Sequence, residues 1–128
     1  MRTDLFGDPT SSILAKALDA AAARHRAIAN NIANVETPGY KRIFVSFEEE
    51  LKRALEEGST RRTLEKLAEL SPVQHIDWYS PSRPDGNNVC VDAEIADLVR
   101  NTMKQKAVSV LLEAKIAMLR AAITEGKR

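Results

Sequence analysis

The side chains with the reach of a nucleophile, a proton shuttle or a soft metal ligand are few: His25, His75 and Cys90. With Asp77 they could be drawn around a zinc ion, but their separations match no ligand spacing that zinc sites use. The chain carries no Gly-rich phosphate loop, no G-x-S-x-G elbow, no H-E-x-x-H pair and no paired-cysteine motif. These residues predict no enzyme, no metal and no cofactor. His25 falls on an apolar helical rhythm and reads as a partly buried residue tuning an interhelical contact. His75 reads as a surface loop residue, and Cys90 as a small hydrophobe ahead of a helix.

A more specific signal lies in "IANNIANVETPGYKR", from Ile28 to Arg42. Asn30, Asn31 and Asn34 compete for backbone hydrogen bonds and weaken a helix. Pro38 disfavours helical geometry at Thr37. Pro38 and Gly39 fit the central positions of a type II turn, in which Gly takes positive φ. The helix should end near Asn34, with a fixed turn over 37–40. Tyr40 then reads as a lid over the helix end with its hydroxyl in water, or as the same contact made to a neighbouring chain.

The elements that must position this stretch follow from periodicity. Leu14, Leu18, Ala21, His25, Ile28 and Ile32 recur in a heptad rhythm, with Thr10, Ser11 and Ser12 as candidate caps. Ser46 and Glu49 have capping-box spacing ahead of Phe47, Leu51, Ala54 and Leu55, and Gly58 closes that short helix. Leu64, Leu67 and Leu70 mark a second short helix that Pro72 stops. "VQHIDWY" has weak strand character, and "SPSRPDGNN" is a loop. From Val91 to Glu125 there is neither Pro nor Gly, so one long helix, capped by Asp92, should run there. Its apolar positions cover a face wide enough for two neighbours.

The predicted fold class is all-α: two long terminal helices packed as an elongated antiparallel hairpin or coiled coil, with a loosely folded middle. The expected divisions are a flexible arm over 1–9, an N-terminal assembly helix over 10–35, turn, short helices and loops over 36–91, and a C-terminal assembly helix over 92–125.

Composition narrows the function. The chain has 128 residues, one domain's worth, with only three Phe, one Trp and two Tyr. Such thin packing suits helices that complete their cores against other chains. A net charge of +1, from 19 basic and 18 acidic residues, gives no pull toward nucleic acid or anionic lipid. The doublets Lys41-Arg42 and Arg61-Arg62 are too short for a nucleic-acid patch, and the acidic runs read as solvated helix faces. Trp78-Tyr79 reads as an interface anchor. "MRTDLFGDPTSS" has no apolar core of a cleaved signal, and no segment has the length of an apolar membrane span. The residues alone describe a helical structural or interaction protein, with a cytosolic helical adaptor or chaperone as the alternative.

The stretch "ANNIANVETPGYKR" resembles the N-terminal signature of bacterial flagellar basal-body rod and hook proteins, through Asn30, Asn31, Ile32, Ala33, Asn34, Thr37, Pro38, Gly39 and Tyr40. "DGNNVCVDAEIADLVRNTMKQKAVSVLLEAKIAMLRAAI" resembles the C-terminal helix of the short rod proteins, through Asp85, Gly86, Asn87, Val89, Glu94, Leu98 and Asn101. With no room for an inserted β-rich domain, and with "FEEELKRAL", the chain resembles the proximal rod subunit nearest the export gate, the other short proximal rod subunit being the rival.

The resemblance implies a structural subunit of the proximal rod that leaves the cytoplasm through the flagellar type III export apparatus without a cleaved signal. It implies assembly in the periplasm as part of a hollow shaft, the terminal helices forming the inner wall. Partners would be other copies of itself, other rod proteins, the rod-to-MS-ring junction protein and the export apparatus, and no nucleic acid. Leu14, Leu18, Ile28, Ile32, Leu98, Leu112, Ile116 and Leu119, with Asn30, Asn31 and Asn34, would form the assembly interface. Thr37, Pro38, Gly39 and Tyr40 would steer the chain out of the wall.

Overall fold

The computed structural model describes residues 9–56 and 60–126. Helix α1 spans Pro9–Ala33 and strand β1 spans Ile43–Ser46. Two short helices follow, α2 (Glu48–Glu56) and α3 (Thr60–Glu69), then strand β2 (Val73–Ile76) and the long helix α4 (Val91–Gly126). The all-α expectation holds, with one addition: β1 and β2 pair as an antiparallel ribbon, Ile43 opposite Ile76 and Ser46 opposite Val73. "VQHI" thus forms a strand where the sequence reading saw weak strand character. β-branched ends and an available partner strand outweigh its shortness.

Pro9 opens α1, where its fixed φ is already helical and its missing N–H costs nothing. The helix ends as the asparagines predict. The Asn34 N–H reaches the Asn30 and Asn31 carbonyls at 3.1 and 3.2 Å, and the Asn34 side chain donates to the Asn30 carbonyl at 2.8 Å. The turn follows, with Tyr40 N–H donating to the Thr37 carbonyl at 3.3 Å and Gly39 at φ 73°. At the other long helix the cap differs from expectation. The Cys90 carbonyl accepts from the Glu94 N–H at 3.0 Å, so Cys90 stands in the cap position and Asp92 lies within the first turn. An acidic first turn still opposes the helix dipole.

Helices α1 and α4 run antiparallel: Asn31 reaches Glu94 at one level and Asn101 reaches Ala21 at another. Buried Ala20, Ala21 and Ala27 make that approach possible.

The middle of the chain builds its packing on α1 rather than by itself. Val45, Phe47, Ala54 and Leu67 are buried, β1 and α3 both lie against α1, and Lys16 donates to the Ala68 carbonyl at 3.3 Å. The expected capping box at α2 is not formed. Phe47 supplies the cap carbonyl to Leu51 N–H at 2.9 Å, while the Ser46 hydroxyl pairs with His75 Nε2 at 2.8 Å. Strand pairing has claimed Ser46 first. The stop expected at Gly58 lies outside the described residues.

Two glycine turns lock the α1 end to the start of α4. Gly39 N–H donates to the Asp85 carbonyl at 2.8 Å, and Gly86, at φ 86°, closes the second turn through Arg83 at 2.8 Å. A Cβ on Gly86 would stand 3.3 Å from the Gly39 Cα, backbone against backbone. Gly86→Ala should therefore cost about 2–3 kcal/mol in urea unfolding, since strain and crowding add. Gly39→Ala, with nothing within 4 Å of its Cβ, should cost only the positive-φ penalty, about 1 kcal/mol.

Candidate assembly site

The asparagine-rich helix end is where α1, the turn, β1 and α4 meet. Asn31 is fully buried there, and its carboxamide serves four partners. Its nitrogen donates to the Ile43 carbonyl at 2.8 Å and to Glu94 Oε2 at 3.0 Å. Its oxygen accepts from the Ile43 N–H at 2.9 Å and from the Tyr40 hydroxyl at 3.0 Å. The side chain thus pairs with Ile43 as a neighbouring strand would.

Glu94 is fully buried on the facing side of α4. One carboxylate oxygen takes the Asn31 amide and the other takes the Arg42 guanidinium, which also reaches Asp97 at 3.2 Å. A buried carboxylate is tolerated when it is paired and hydrogen-bonded, and here each Glu94 oxygen has a donor, one of them a guanidinium. The Asn88 amide splices into the ribbon end: its oxygen accepts from Arg42 N–H at 2.7 Å and its nitrogen donates to the Asp77 carbonyl at 2.8 Å. Asn87, also fully buried, donates to the Asn34, Val35 and Thr37 carbonyls at 2.9, 3.1 and 2.9 Å. Arg83 adds a further bond to the Val35 carbonyl. These carbonyls belong to the turn that follows α1, where no ladder satisfies them, and side chains from the loop before α4 meet them instead.

The arrangement binds chain segments to one another and leaves no free base or nucleophile at its centre. Among the described residues, no group of three or more His, Cys, Asp or Glu is placed to hold a metal ion. No described helix is long and apolar enough to cross a membrane.

The residues singled out from sequence fall into distinct positions. Asn31 and Ile28 are buried; Leu14, Leu18, Ile32, Asn34 and Tyr40 are half-buried; Asn30, Thr37, Pro38 and Gly39 are exposed. Leu98, Leu112, Ile116 and Leu119 are half-buried along one side of α4, the side that carries Glu94 and Asn101. On the back and flanks of α4 Ile95, Val99, Met103, Val110, Leu111 and Met118 are exposed. Trp78 and Tyr79 are exposed too.

Three readings are corrected. His25 is exposed, because the seam is completed by alanines that bring the helices together beside it. His75 lies on β2, stacked on Phe44 with ring centroids 5.2 Å apart. The Tyr40 hydroxyl is bonded to Asn31 rather than left in water.

Sequence reasoning about single residues missed Arg42, read only as half of a basic doublet too short for a nucleic-acid patch, and the load carried by Arg83, Asn88 and Glu94. A signal for α4 was present. Glu94 and Asn101 are one heptad apart, with Leu98 between, so polar groups sit on the very face that seeks α1.

Two outcomes test this junction. Asn31→Leu keeps the volume but strips partners from Ile43, Tyr40 and Glu94, and should cost about 3–5 kcal/mol in urea unfolding. Asn30→Ala, at an exposed side chain, should stay within about 0.5 kcal/mol. Tyr40 gives the second. Burial first, and the Glu94 carboxylate second, raise its pKa above the ordinary 10.0. A raised folded-state pKa stabilises fully below the unfolded value of about 10 and is lost as pH rises through the folded one. Unfolding free energy should therefore fall above about pH 10, and Tyr40→Phe should flatten that limb.

Comparison with known proteins bears on what this junction serves. The family described as flagella basal body rod protein matches residues 13–41, which include the asparagine-rich helix end and the turn. The flagellar basal body rod protein FlgB of Borrelia hermsii is 37% identical over 100 residues, covering 67% of this chain and 74% of that protein. FlgB of Bacillus subtilis (strain 168) is 31% identical over 127 residues, covering 89% of this chain and 92% of its own length. FlgB of Escherichia coli (strain K12) is 30% identical over 110 residues, covering 75% and 80%. At this identity and coverage, and with the turn motif inside the matched segment, the chain belongs to the flagellar basal body rod protein family.

Proposed function

We propose that the chain polymerises as a subunit of the proximal rod, with α1 and α4 forming the wall of a hollow shaft. Membership in the family makes it a structural protein of the flagellar basal body rather than an enzyme, and sets aside the cytosolic adaptor. The observation that carries the finer reading is the row of exposed apolar side chains on α4. Ile95, Val99, Met103, Val110, Leu111 and Met118 are 48–67% exposed, on the back and flanks of the helix relative to α1. One helix face is spent on the hairpin and the opposite face has no cover within the chain. A face of this kind gains its burial from neighbouring subunits, by mass action. Repetition of such a contact between unlike surfaces gives an open helical array rather than a closed pair.

In this reading Leu14, Leu18, Ile28 and Ile32 hold the hairpin together with Leu98, Leu112, Ile116 and Leu119. Asn30 and the exposed turn residues Thr37 and Pro38 meet the next subunit. Gly39 and Tyr40 direct the middle of the chain away from the wall. The neighbours are other copies, other rod proteins and the rod-to-MS-ring junction protein. The subunit reaches the periplasm through the type III export apparatus. Support for these partners and for this route comes from the family resemblance.

Deletion of the gene tests the assignment as a whole: basal bodies without rods and non-swimming cells are expected, and intact rods by electron microscopy would overturn it. Val99→Glu with Met103→Glu tests the α4 face. Both side chains are exposed, so unfolding should shift by about 0.5 kcal/mol or less per site, while rods and swimming are lost. Gly39→Val should block assembly with synthesis unimpaired, because the turn needs positive φ.

A further inference from the structure

Helix α4 carries charge along both flanks in matching steps. At about 3.6 residues per turn, residues seven apart fall nearly on one line, and residues two apart fall on nearly opposite sides. One line runs through Asp97, Lys104, Leu111 and Met118, the other through Lys106, Glu113 and Arg120. Glu94 and Asn101, which bond to α1, lie on the stripe between them, so the lines border the α1-facing side to left and right. Asp97 is half-buried, held by Arg42 at 3.2 Å and Arg100 at 2.6 Å; the other six residues are exposed.

Neither line satisfies itself. Charges seven residues apart stand about 10 Å apart along the axis, beyond the three- and four-residue spacings at which helix side chains pair. Among the described residues, Lys104, Lys106, Glu113 and Arg120 form no ion pair. The alternation of sign along the second line is therefore available to a helix outside the chain.

We infer that one copy lays its Lys106–Glu113–Arg120 line along the Asp97–Lys104–Leu111 line of the next, with the two α4 helices parallel and staggered by nine residues, about 13 Å. The inference rests on the proposed rod, since neighbours in an open array point the same way and meet through unlike flanks. Charge then fixes the stagger, because only staggers that differ by seven keep both lines in contact. At nine, Lys106 meets Asp97, Glu113 meets Lys104, and the aliphatic stem of Arg120 covers exposed Leu111. At two, Lys106 meets Lys104. At sixteen, Glu113 meets Asp97 and Arg120 meets Lys104. A shift of five the other way pairs Arg120 with Glu125 but sets Lys106 on Leu111 and Glu113 on Met118, which strips water from two charges and returns no partner. Each copy offers both lines, so the contact repeats without closing. An antiparallel neighbour matches Lys106 with Glu113 only by joining like flanks, and that contact ends at a dimer.

Charge exchange tests the pair. Lys104→Glu or Glu113→Lys alone should lower rod counts by electron microscopy, and swimming, several-fold. Urea midpoints should not move, because both side chains are exposed. The two substitutions in one chain should restore most rods. Within a helix the two positions lie on opposite flanks, about 13 Å apart along the axis, so rescue passes only between copies. Disulfide trapping in isolated basal bodies is the second readout. In a Cys90→Ser background, Lys104→Cys with Glu113→Cys should give a ladder of covalent oligomers under mild oxidation. Lys106→Cys with Glu113→Cys should give several-fold less product. Unimpaired rods in both single variants, no rescue in the double, or trapping that stops at dimers would overturn the inference and leave the rod assignment standing. Intact rods in the deletion strain would overturn both.

Discussion

The Asn31 carboxamide is the point through which α1, the turn, β1 and α4 are held in one arrangement. It is fully buried, and it fills both hydrogen-bonding groups of Ile43, the Tyr40 hydroxyl and one oxygen of Glu94. An apolar residue of the same size would leave several buried polar groups unpaired, and each of these costs more than a made bond returns. A carboxylate would lose the donor that Glu94 and the Ile43 carbonyl require. The constraint is therefore chemical as well as spatial: an amide, in this place, pointing both ways.

The same device recurs around it. Asn88 bridges Arg42 to Asp77 as a peptide group would, and Asn87 gathers three carbonyls of the turn after α1. Helix ends and short ribbons expose main-chain groups that regular structure cannot satisfy. Here asparagine side chains stand in for the missing peptide neighbours, which lets a chain with few aromatic residues hold a defined junction. The two glycine turns make this geometry reachable. Gly39 and Gly86 bring one backbone against another, and the side chains of the second turn then fall on the carbonyls of the first.

Helix α4 carries two different surfaces. Toward α1 it presents the buried Glu94 and Asn101 among half-buried leucines; away from α1 it presents exposed Ile95, Val99 and Met103. The inner face is specified by polar matching, which fixes register, and the outer face by apolar area, which rewards any close-fitting neighbour. That division suits a subunit of a rod. On the proposed reading the surplus apolar surface finds its cover between subunits.

Much of this was legible in the residues. Heptad spacing placed α1, the absence of Pro and Gly placed α4, and the asparagines with Pro38-Gly39 placed the helix end and the turn with its positive φ. The resemblance of the same stretch to rod proteins anticipated the family. These features are local, governed by propensity and backbone sterics within a few residues. What only the tertiary structure decided was partnership across the chain: Asn31 with Ile43 and Glu94, Arg42 with Glu94 and Asp97, Gly86 against Gly39, Ser46 with His75 rather than with its own helix. A polar side chain has the same local signature whether it faces water or a carbonyl fifty residues away, and burial alone makes that difference costly enough to matter.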